Sequence, residues 1–499
     1  MLKVFHFQRS KILFVFGFLA VSSLVIFLVV SCGGGNSALK ATATGMIQVS
    51  MSDPPSCMPP NGQFTHVFIT VRSVQAHISA TADESTSGWQ ELAPQLAAQP
   101  MQLDLFSSPQ TNCILAQLGS ASLPVGTYQQ IRLILLSNSP ATGAAVPPSN
   151  ACASNGFNCV VLSDNSVHGL DLSSEANTGL KIPPGQIVGG PITVGAGQSV
   201  DLNIDFNACA SIIREGNGTF RLKPALTAGQ VSANNSGVSG QVIDAVTKAP
   251  ITGNVLVAIE QPDSTGVDRV MMETTADANG NFRFCPLPTG IFDIVAVAVG
   301  PNNLPYNATV ALNIPNGTNL GAIPLQPETG ATAPATLQGF VTATTGTAAA
   351  SVDVSVSALQ QVSFGTPAVM RQVTIPLESI QATGTNSAVA STGLISLTGN
   401  TTCPTGAPAN TNCAQYTLVV PASNPSVGVF SSSGFTYSTP AAAPVPFTVD
   451  ARAAVPSSGG TADCSPSEIM TTIDVNNAAL VVTPATLTTV ARADFKGCS

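Results

Sequence analysis

Charged side chains are scarce in this 499-residue sequence, since Asp, Glu, Lys and Arg together make up only 9% of it. The bases among them are not clustered, and acids outnumber bases, which gives a formal net charge of −9. Nucleic-acid phosphates are bound by clustered Lys and Arg, so we expect no nucleic-acid partner. Gly, Pro, Ser, Thr, Ala and Asn supply the polarity instead, a composition unlike that of ordinary cytosolic proteins.

Aromatic side chains are also few, at 5% of the chain, with one Trp and four Tyr. Sandwich modules that bind carbohydrate usually do so through exposed aromatic rings, and amphipathic Trp suits that role. Trp89, which follows the polar stretch 80–87, is therefore the candidate ligand contact. A single Trp also often fills packing space, so we weigh that structural role against contact with a glycan or a protein partner.

The amino-terminal segment has the order of an export signal. A basic start at residues 3–11 precedes the apolar run 12–30, the small residue Ser31 and then Cys32. This order resembles a bacterial lipoprotein signal. The resemblance implies that residues 1–31 are a signal peptide removed before Cys32, whose sulfur and new amino group carry lipid.

The lipid on Cys32 would be the contact with the membrane, and Gly33 in place of an aspartate resembles the outer-membrane sorting pattern. The alternative is an uncleaved transmembrane helix, because nineteen residues at about 1.5 Å each nearly cross a hydrocarbon core of about 30 Å. Both alternatives predict that the rest of the chain lies outside the cytoplasm. Residues 32–44, the lipidated cysteine and a Gly-rich stretch, form a flexible tether of roughly 20 Å.

The chain has 11 cysteines, and lipidation of Cys32 leaves an even number for disulfides in an oxidising compartment. Sequence proximity favours three pairs, namely Cys152 with Cys159, Cys403 with Cys413, and Cys464 with Cys498. Pairing among the other four is open; they are Cys57, Cys113, Cys209 and Cys285. Zinc sites usually contain close Cys-x-x-Cys pairs, which this sequence lacks, so we predict structural disulfides and no metal.

Residues 45–230 alternate apolar and polar positions in short runs broken by Pro, Gly and Asn, a pattern typical of strands. Helical periodicity occurs only at 113–118. Several segments of this region resemble a bacterial lipoprotein family catalogued as domain of unknown function 4382, and they are 51–57, 64–77, 88–92, 123–135, 179–183 and 194–226. The resemblance implies an exported, anchored, β-rich domain with no established activity.

A second domain is predicted at 237–328. Its segments 240–260 and 274–300 resemble the carboxypeptidase regulatory-like domain, a prealbumin-type β-sandwich, and the resemblance implies a non-catalytic spacer or binding module. Asp277-Ala278-Asn279-Gly280 supplies the positive-φ residues of a tight hairpin. Residues 329–336, which contain Gly, Ala and Pro, predict a linker after this domain. Residues 336–499 repeat the Gly-x-Val opening and predict a third, β-rich domain. The fold class is therefore all-β, with tandem β-sandwich-like domains after the signal peptide.

Catalytic patterns are weak throughout the chain. No His has Glu three residues later, as an attached zinc carboxypeptidase would require, and His168 with Asp171 would face opposite sides of a strand. The Gly-x-Ser-x-Gly elbow is absent. A glycosidase-like carboxylate pair could form only among acids distant in sequence, namely Asp171, Glu175, Asp201 and Asp205. The Asp277 loop lacks the Glu that an EF-hand needs at position twelve.

These observations predict a non-enzymatic, lipid-anchored protein of the bacterial cell envelope that acts in binding, adhesion or surface architecture without a cofactor. Its partner would be a cell-surface protein or a glycan. Two alternatives stay open. One is a carbohydrate-binding accessory lipoprotein that uses Trp89, and the other is an unrecognised hydrolase built on the acids of residues 45–230.

Overall fold

Runs of β-branched and aromatic residues at every second position make this chain a succession of strands. The computed structural model describes residues 43–53, 64–83, 85–107, 116–172, 176, 178–182, 184–214, 218–222, 225–231, 237–285, 287–288, 290–328, 330–350, 352–377, 394–397, 403–431, 434–440, 444–454 and 464–498. Residues Thr44–Ser499 form one compact unit. The all-β prediction is confirmed. The signal peptide, Cys32 and most of the tether lie outside the described residues.

The strands of residues 44–230 are β1 (Thr44–Ser52), β2 (Phe64–His77), β3 (Gln90–Glu91), β4 (Met101–Asp104), β5 (Ala116–Pro124), β6 (Gly126–Tyr128), β7 (Gln130–Leu135), β8 (Cys159–Leu162), β9 (Val167–Leu172), β10 (Leu180–Ile182), β11 (Ile187–Val188), β12 (Ile192–Val194), β13 (Ser199–Asn207), β14 (Ile212–Arg214), β15 (Phe220–Leu222) and β16 (Ala225–Gln230). One short helix, α1 (Ala208–Ser211), follows β13. No helix among the described residues is long and apolar enough to span a bilayer.

Two sheets enclose the core of this first region. One has the order β11-β16-β13-β1-β5, and the other has the order β10-β7-β2-β8-β9-β15-β14 with β3 and β4 paired to β2. Alternate residues of both sheets pack in one cluster that begins at Ile47 and ends at Ala228. The helical pattern at 113–118 was misleading, because residues 116–118 belong to β5 and pair with β1. Sheet pairing here overrides a weak local preference.

The remaining strands are β17 (Val238–Asp244), β18 (Asn254–Pro262), β19 (Val267–Thr275), β20 (Asn281–Phe284), β21 (Ile291–Val299), β22 (Thr309–Pro315), β23 (Asn319–Leu325), β24 (Ala335–Ala343), β25 (Val352–Phe364), β26 (Val369–Ile375), β27 (Leu394–Leu397), β28 (Asn412–Val420), β29 (Ser426–Val429), β30 (Val445–Pro446), β31 (Thr448–Ala454), β32 (Glu468–Thr471), β33 (Val481–Val482), β34 (Leu487–Thr489) and β35 (Ala493–Phe495).

A ten-stranded sheet runs through most of residues 238–498. Its order is β29-β22-β21-β18-β19-β26-β25-β31-β32, with β27 paired to β25. It therefore joins strands on both sides of the linker predicted at 329–336. The sheet β20-β17-β23 covers one face of its first half, and the sheet of β28, β24, β34 and β35 lies over its other face.

Strand β21 shows why three layers are needed. Ile294 and Ala296 pack in the core below the β17 sheet, whereas Val295 and Val297 pack in the core shared with β24 and β28. Burial on both faces explains the nearly continuous apolar run of this strand, because a half-exposed strand would alternate with polar residues.

The junction inside the ten-stranded sheet is short. Strands β19 and β26 pair in parallel through two residue pairs only, Val267 with Gln372 and Asp268 with Val373. We call this junction the seam, and we include in it the side chains around it, namely Glu260, Asp268, Arg269, Asp293, Arg371 and Thr374. Strand β29 crosses back to pair with β22, so the sequence after residue 329 also completes the edge of the earlier strands.

Disulfides are present at the three predicted pairs, Cys152–Cys159, Cys403–Cys413 and Cys464–Cys498. Cys285 is also disulfide-bonded. Cys57 and Cys113 lie outside the described residues, as does the side chain of Cys209.

Candidate functional site

Trp89 lies on the loop before β3 and is half-buried. Its ring is held from several directions. The guanidinium carbon of Arg132 stands 4.2 Å from the ring centroid, the His77 ring centroid is 5.1 Å away, and the indole N–H donates to the Asp83 carbonyl oxygen at 3.0 Å. Arg132 covers one ring face, where a cation and a π system attract each other. The structure thus gives Trp89 structural contacts, and its role as a ligand contact stays a prediction.

The loop that carries Trp89 is organised by Asp83. The Asp83 carboxylate accepts hydrogen bonds from the N–H and hydroxyl groups of Ser85 and Thr86 at 2.8 to 2.9 Å. These hydrogen bonds, led by those from the two hydroxyls, lower the pKa of Asp83 to about 2. The loop is therefore ordered by its own polar groups.

The acids predicted as a hydrolase pair do not share one cleft. Asp171 is exposed on β9 of the nine-stranded sheet, whereas Asp205 is buried on β13 of the five-stranded sheet. Asp201 is four residues from Asp205 on the same strand, roughly 13 Å along it at the usual rise. Glu175 lies outside the described residues.

His168 likewise serves the fold. Its Nε2 lies 3.0 Å from the Ser166 hydroxyl, and its ring packs edge-on against Phe220 at 5.4 Å. In the Asp277 loop the carboxylate accepts from the Asn279 and Asn281 amides, as expected of a hairpin turn. Within the described ranges, no group of three or more His, Cys, Asp or Glu has a geometry that could hold a metal ion.

Asp205 has a neighbour that sequence reasoning missed. Asp53, at the end of β1, is 2% exposed and lies close enough for each negative charge to oppose the other. Asp205 accepts from the Ser52 hydroxyl at 2.9 Å, and Asn203 donates to that hydroxyl oxygen at 2.7 Å. Burial raises the pKa of Asp205 to about 7, and burial followed by the charge of Asp205 raises that of Asp53 well above its ordinary value.

A second group of buried charges lies at the seam. Arg269 of β19 contacts three carboxylates at once: Asp263 at 2.9 Å, Glu468 of β32 at 2.6 Å, and Asp450 of β31. Asp450 is almost fully buried. The guanidinium fork suits such multiple pairing, and it connects the strands on either side of the linker predicted at 329–336.

Arg371 of β26 lies after the predicted linker and contacts acids that lie before it. It pairs with Asp293 of β21, and its Nε lies 3.9 Å from Asp268 of β19. Glu260 of β18 accepts from the Thr374 amide at 3.1 Å, and the Thr374 hydroxyl donates to the Asp268 carbonyl oxygen at 2.7 Å. Buried carboxyl groups are thus concentrated where β26 meets the earlier strands.

An apolar cleft opens between the ten-stranded sheet and the β24–β28 sheet. Its lining includes Leu256, Val297, Tyr306, Leu377 and Val419. The Tyr306 hydroxyl donates to Asp244 at 2.8 Å, so this polar group is already used inside the fold.

Residues 44–224 match the family described as domain of unknown function (DUF4382). The DUF4382 region is the part of the chain whose segments carried that resemblance in the sequence, and it contains Trp89 and the Asp53–Asp205 pair. A comparison with curated proteins gave no match.

Among solved structures, the chain has similarities of low identity and low TM-score. The Bacillus anthracis TIE protein is 9% identical over 91% of this chain and 50% of its own, with a TM-score of 0.15, so the chain spans half the length of that protein. The shaft pilin SpaA from Lactobacillus rhamnosus GG is 11% identical over 58% of this chain and 98% of its own, with a TM-score of 0.18. A streptococcal ancillary pilin is 9% identical over 90% and 99%, with a TM-score of 0.15.

Proposed function

We propose that this chain is a non-catalytic, lipid-anchored scaffold of the bacterial cell envelope, with the DUF4382 region displayed next to a stiff body formed by residues 238–498. The continuous ten-stranded sheet is the observation that carries this proposal. A sheet shared by strands on both sides of a linker allows far less relative motion than two sandwiches joined by a flexible segment, since every ladder hydrogen bond resists it.

The polar chemistry of the described residues supports the same function. Arg269 and Arg371 engage carboxylates of neighbouring strands, and Asp205 is enclosed with Ser52 and Asn203. A catalytic carboxyl must reach a substrate in a cleft, whereas these carboxyl groups bind side chains of neighbouring strands.

The anchor is proposed from the sequence. Cys32 would carry the lipid, and the tether 32–44 would hold the first sheet within roughly 20 Å of the membrane. The carboxypeptidase regulatory-like resemblance of 237–328 fits the same role, because that module acts as a spacer or binding appendage. The membrane would be the outer membrane, and the displayed partner a cell-surface protein or a glycan.

Metabolic labelling with radioactive palmitate tests the anchor in a Gram-negative host. The full chain should be labelled and should sediment with outer membranes, and Cys32→Ser should abolish both. Ser37→Ala in the tether is the matched control and should leave both unchanged. Continued labelling of Cys32→Ser would refute the anchor.

Two further measurements separate this proposal from its alternatives. Glycan-array binding that is lost in Trp89→Ala would favour carbohydrate binding through the DUF4382 region. Turnover of a polysaccharide or peptide library that is abolished by Asp205→Ala or Asp171→Ala would favour a hydrolase. We expect a retained protein partner and no turnover.

A further inference from the structure

The seam holds more buried carboxyl groups than cations. Glu260, Asp268 and Asp293 come from three adjacent strands and are all almost completely buried, while Arg371 contacts two of them, Asp268 and Asp293. If all three carboxyls were ionised, the group would carry a net charge of about −2 away from water. Burial of unpaired carboxylates costs several kcal/mol each, and such groups take up protons instead.

Hydrogen bonding in the seam also indicates that some of the buried carboxyl groups are protonated. Among the described residues, no N–H or O–H group lies within hydrogen-bond distance of either carboxyl oxygen of Asp268, and Oε1 of Glu260 also lacks a donor. The Asp268 carboxyl lies beside that of Asp293, and two carboxyl groups can hydrogen-bond only when one of them is protonated. A shared proton satisfies an oxygen that would otherwise be unpaired.

We propose that the seam between β19 and β26 is a pH-sensitive joint, closed while Asp268 and Glu260 hold protons and weakened when they ionise. The geometry makes this joint sensitive, because the ladder there has only two residue pairs. Beyond this ladder, Thr374 of β26 makes two hydrogen bonds to the earlier strands, one to the Glu260 carboxyl and one to the Asp268 carbonyl oxygen. Ionised carboxylates would repel one another at the point where the ladder is shortest.

Other charged groups also act on Glu260 and Asp268. Glu273 of β19 and Asp263 of the preceding turn add negative charge, and Arg371 of β26 opposes it. Burial, then the hydrogen bond with Asp293, raises the pKa of Asp268 to about 8, and burial followed by the charge of Asp268 raises that of Glu260 well above its ordinary value. A raised folded-state pKa means that the stabilisation is complete below the unfolded-state pKa and is lost as pH rises through the folded one.

Hydrogen–deuterium exchange on the whole mature chain tests the joint. Protection factors, corrected for the intrinsic rate at each pH, would be compared at pH 7 and pH 9 for peptides that cover 369–375. One carboxyl with a pKa near 8 predicts a loss of about tenfold in protection over this interval. Peptides that cover 64–77 report on the DUF4382 region, and their change over this interval should be the same in the wild type and in Asp268→Asn.

Neutral isosteres identify the groups responsible. Asp268→Asn should reduce the loss at 369–375 to about threefold or less, and Glu260→Gln should reduce it as well, so either variant decides if the other fails to fold. Asp205→Asn removes a buried acid of β13 that lies outside the seam, and as the matched control it should keep the tenfold loss. The proposal is overturned if the wild-type chain shows no loss at 369–375, or if the folded Asp268→Asn and Glu260→Gln variants lose as much as the wild type.

Discussion

Residues 44–231 enclose a core of their own, whereas one of the two cores of 238–498 takes its buried residues from both sides of the linker predicted at 329–336. The first core starts at Ile47 and ends at Ala228, and both of its sheets come from that stretch. In the second half, one sheet faces two cores, and strand β29 returns to complete an earlier edge. The difference teaches that a segment with recognisable strand motifs need not be a unit that folds alone.

Truncation should give the largest effect. Residues 237–328 expressed alone would expose one face of the central sheet, including Leu256, Val295, Val297, Val310 and Leu312. Burial of five such side chains contributes about 10 kcal/mol, as much as the whole stability of an ordinary domain. We expect aggregation or strong binding of an apolar dye, whereas residues 44–231 should unfold cooperatively. Cooperative unfolding of 237–328 alone would remove the contrast between the two halves.

Loss of one seam arginine should rank second. Arg269→Met would remove the cation that pairs with the buried Asp450, and breaking a buried ion pair costs about 3–5 kcal/mol. Arg492→Met is the matched control. Its partner Asp494 is more exposed, and such pairs contribute about 1 kcal/mol or less. Denaturant unfolding would measure both variants, and equal losses would show that the seam is no more than an ordinary surface contact.

The disulfides should follow in the order of the loops they close. Cys464–Cys498 closes a separation of 34 residues and Cys152–Cys159 one of 7. Chain entropy predicts losses of about 4 and about 2 kcal/mol for the respective double Ser variants. Unfolding midpoints in denaturant would rank them, and the reverse order would assign the larger constraint to the DUF4382 region.

The smallest effect should be a change in how steeply the free energy of unfolding varies with pH. Asp205 is buried with a pKa of about 7, so its proton stabilises the folded DUF4382 region fully below pH 4, and this contribution fades as pH rises to 7. Asp205→Asn should remove a dependence of at most about 1.4 kcal/mol per pH unit in this window. Unfolding free energies at pH 5, 6 and 7 would show it, and an unchanged slope would place the titrating group elsewhere.

Much of the local structure was predictable from sequence. Alternating runs gave the strands β1, β2 and β7, the Asp277 turn formed at Gly280 with a φ of 77°, and cysteine spacing gave three disulfides. The first two signals are local, and the disulfides close short separations. The shared sheet was not predictable, because the partner of β19 lies about a hundred residues later and only two residue pairs join them.

The buried acids escaped prediction for a related reason. In the sequence, nothing distinguishes the three seam acids from ordinary surface acids, because none belongs to a motif. They are Asp268, Asp293 and Glu260, and each lies within a strand-like run. Their environment depends on which strands become neighbours. The sequence of β21 does contain a signal of a buried acid, because Asp293 interrupts an apolar run that is buried on both faces. An acid inside such a run must find a proton or a cation, as Asp293 does with Arg371.

The two-faced burial of β21 also limits how this gene can be rearranged. Domains that fold alone can be exchanged between genes at their linkers, with little cost to either product. A crossover at 329–336 would instead separate Val295 and Val297 from the side chains of β24 and β28 that cover them. Recombinants at this linker should therefore be eliminated by selection, and residues 238–498 should be inherited as a single cassette.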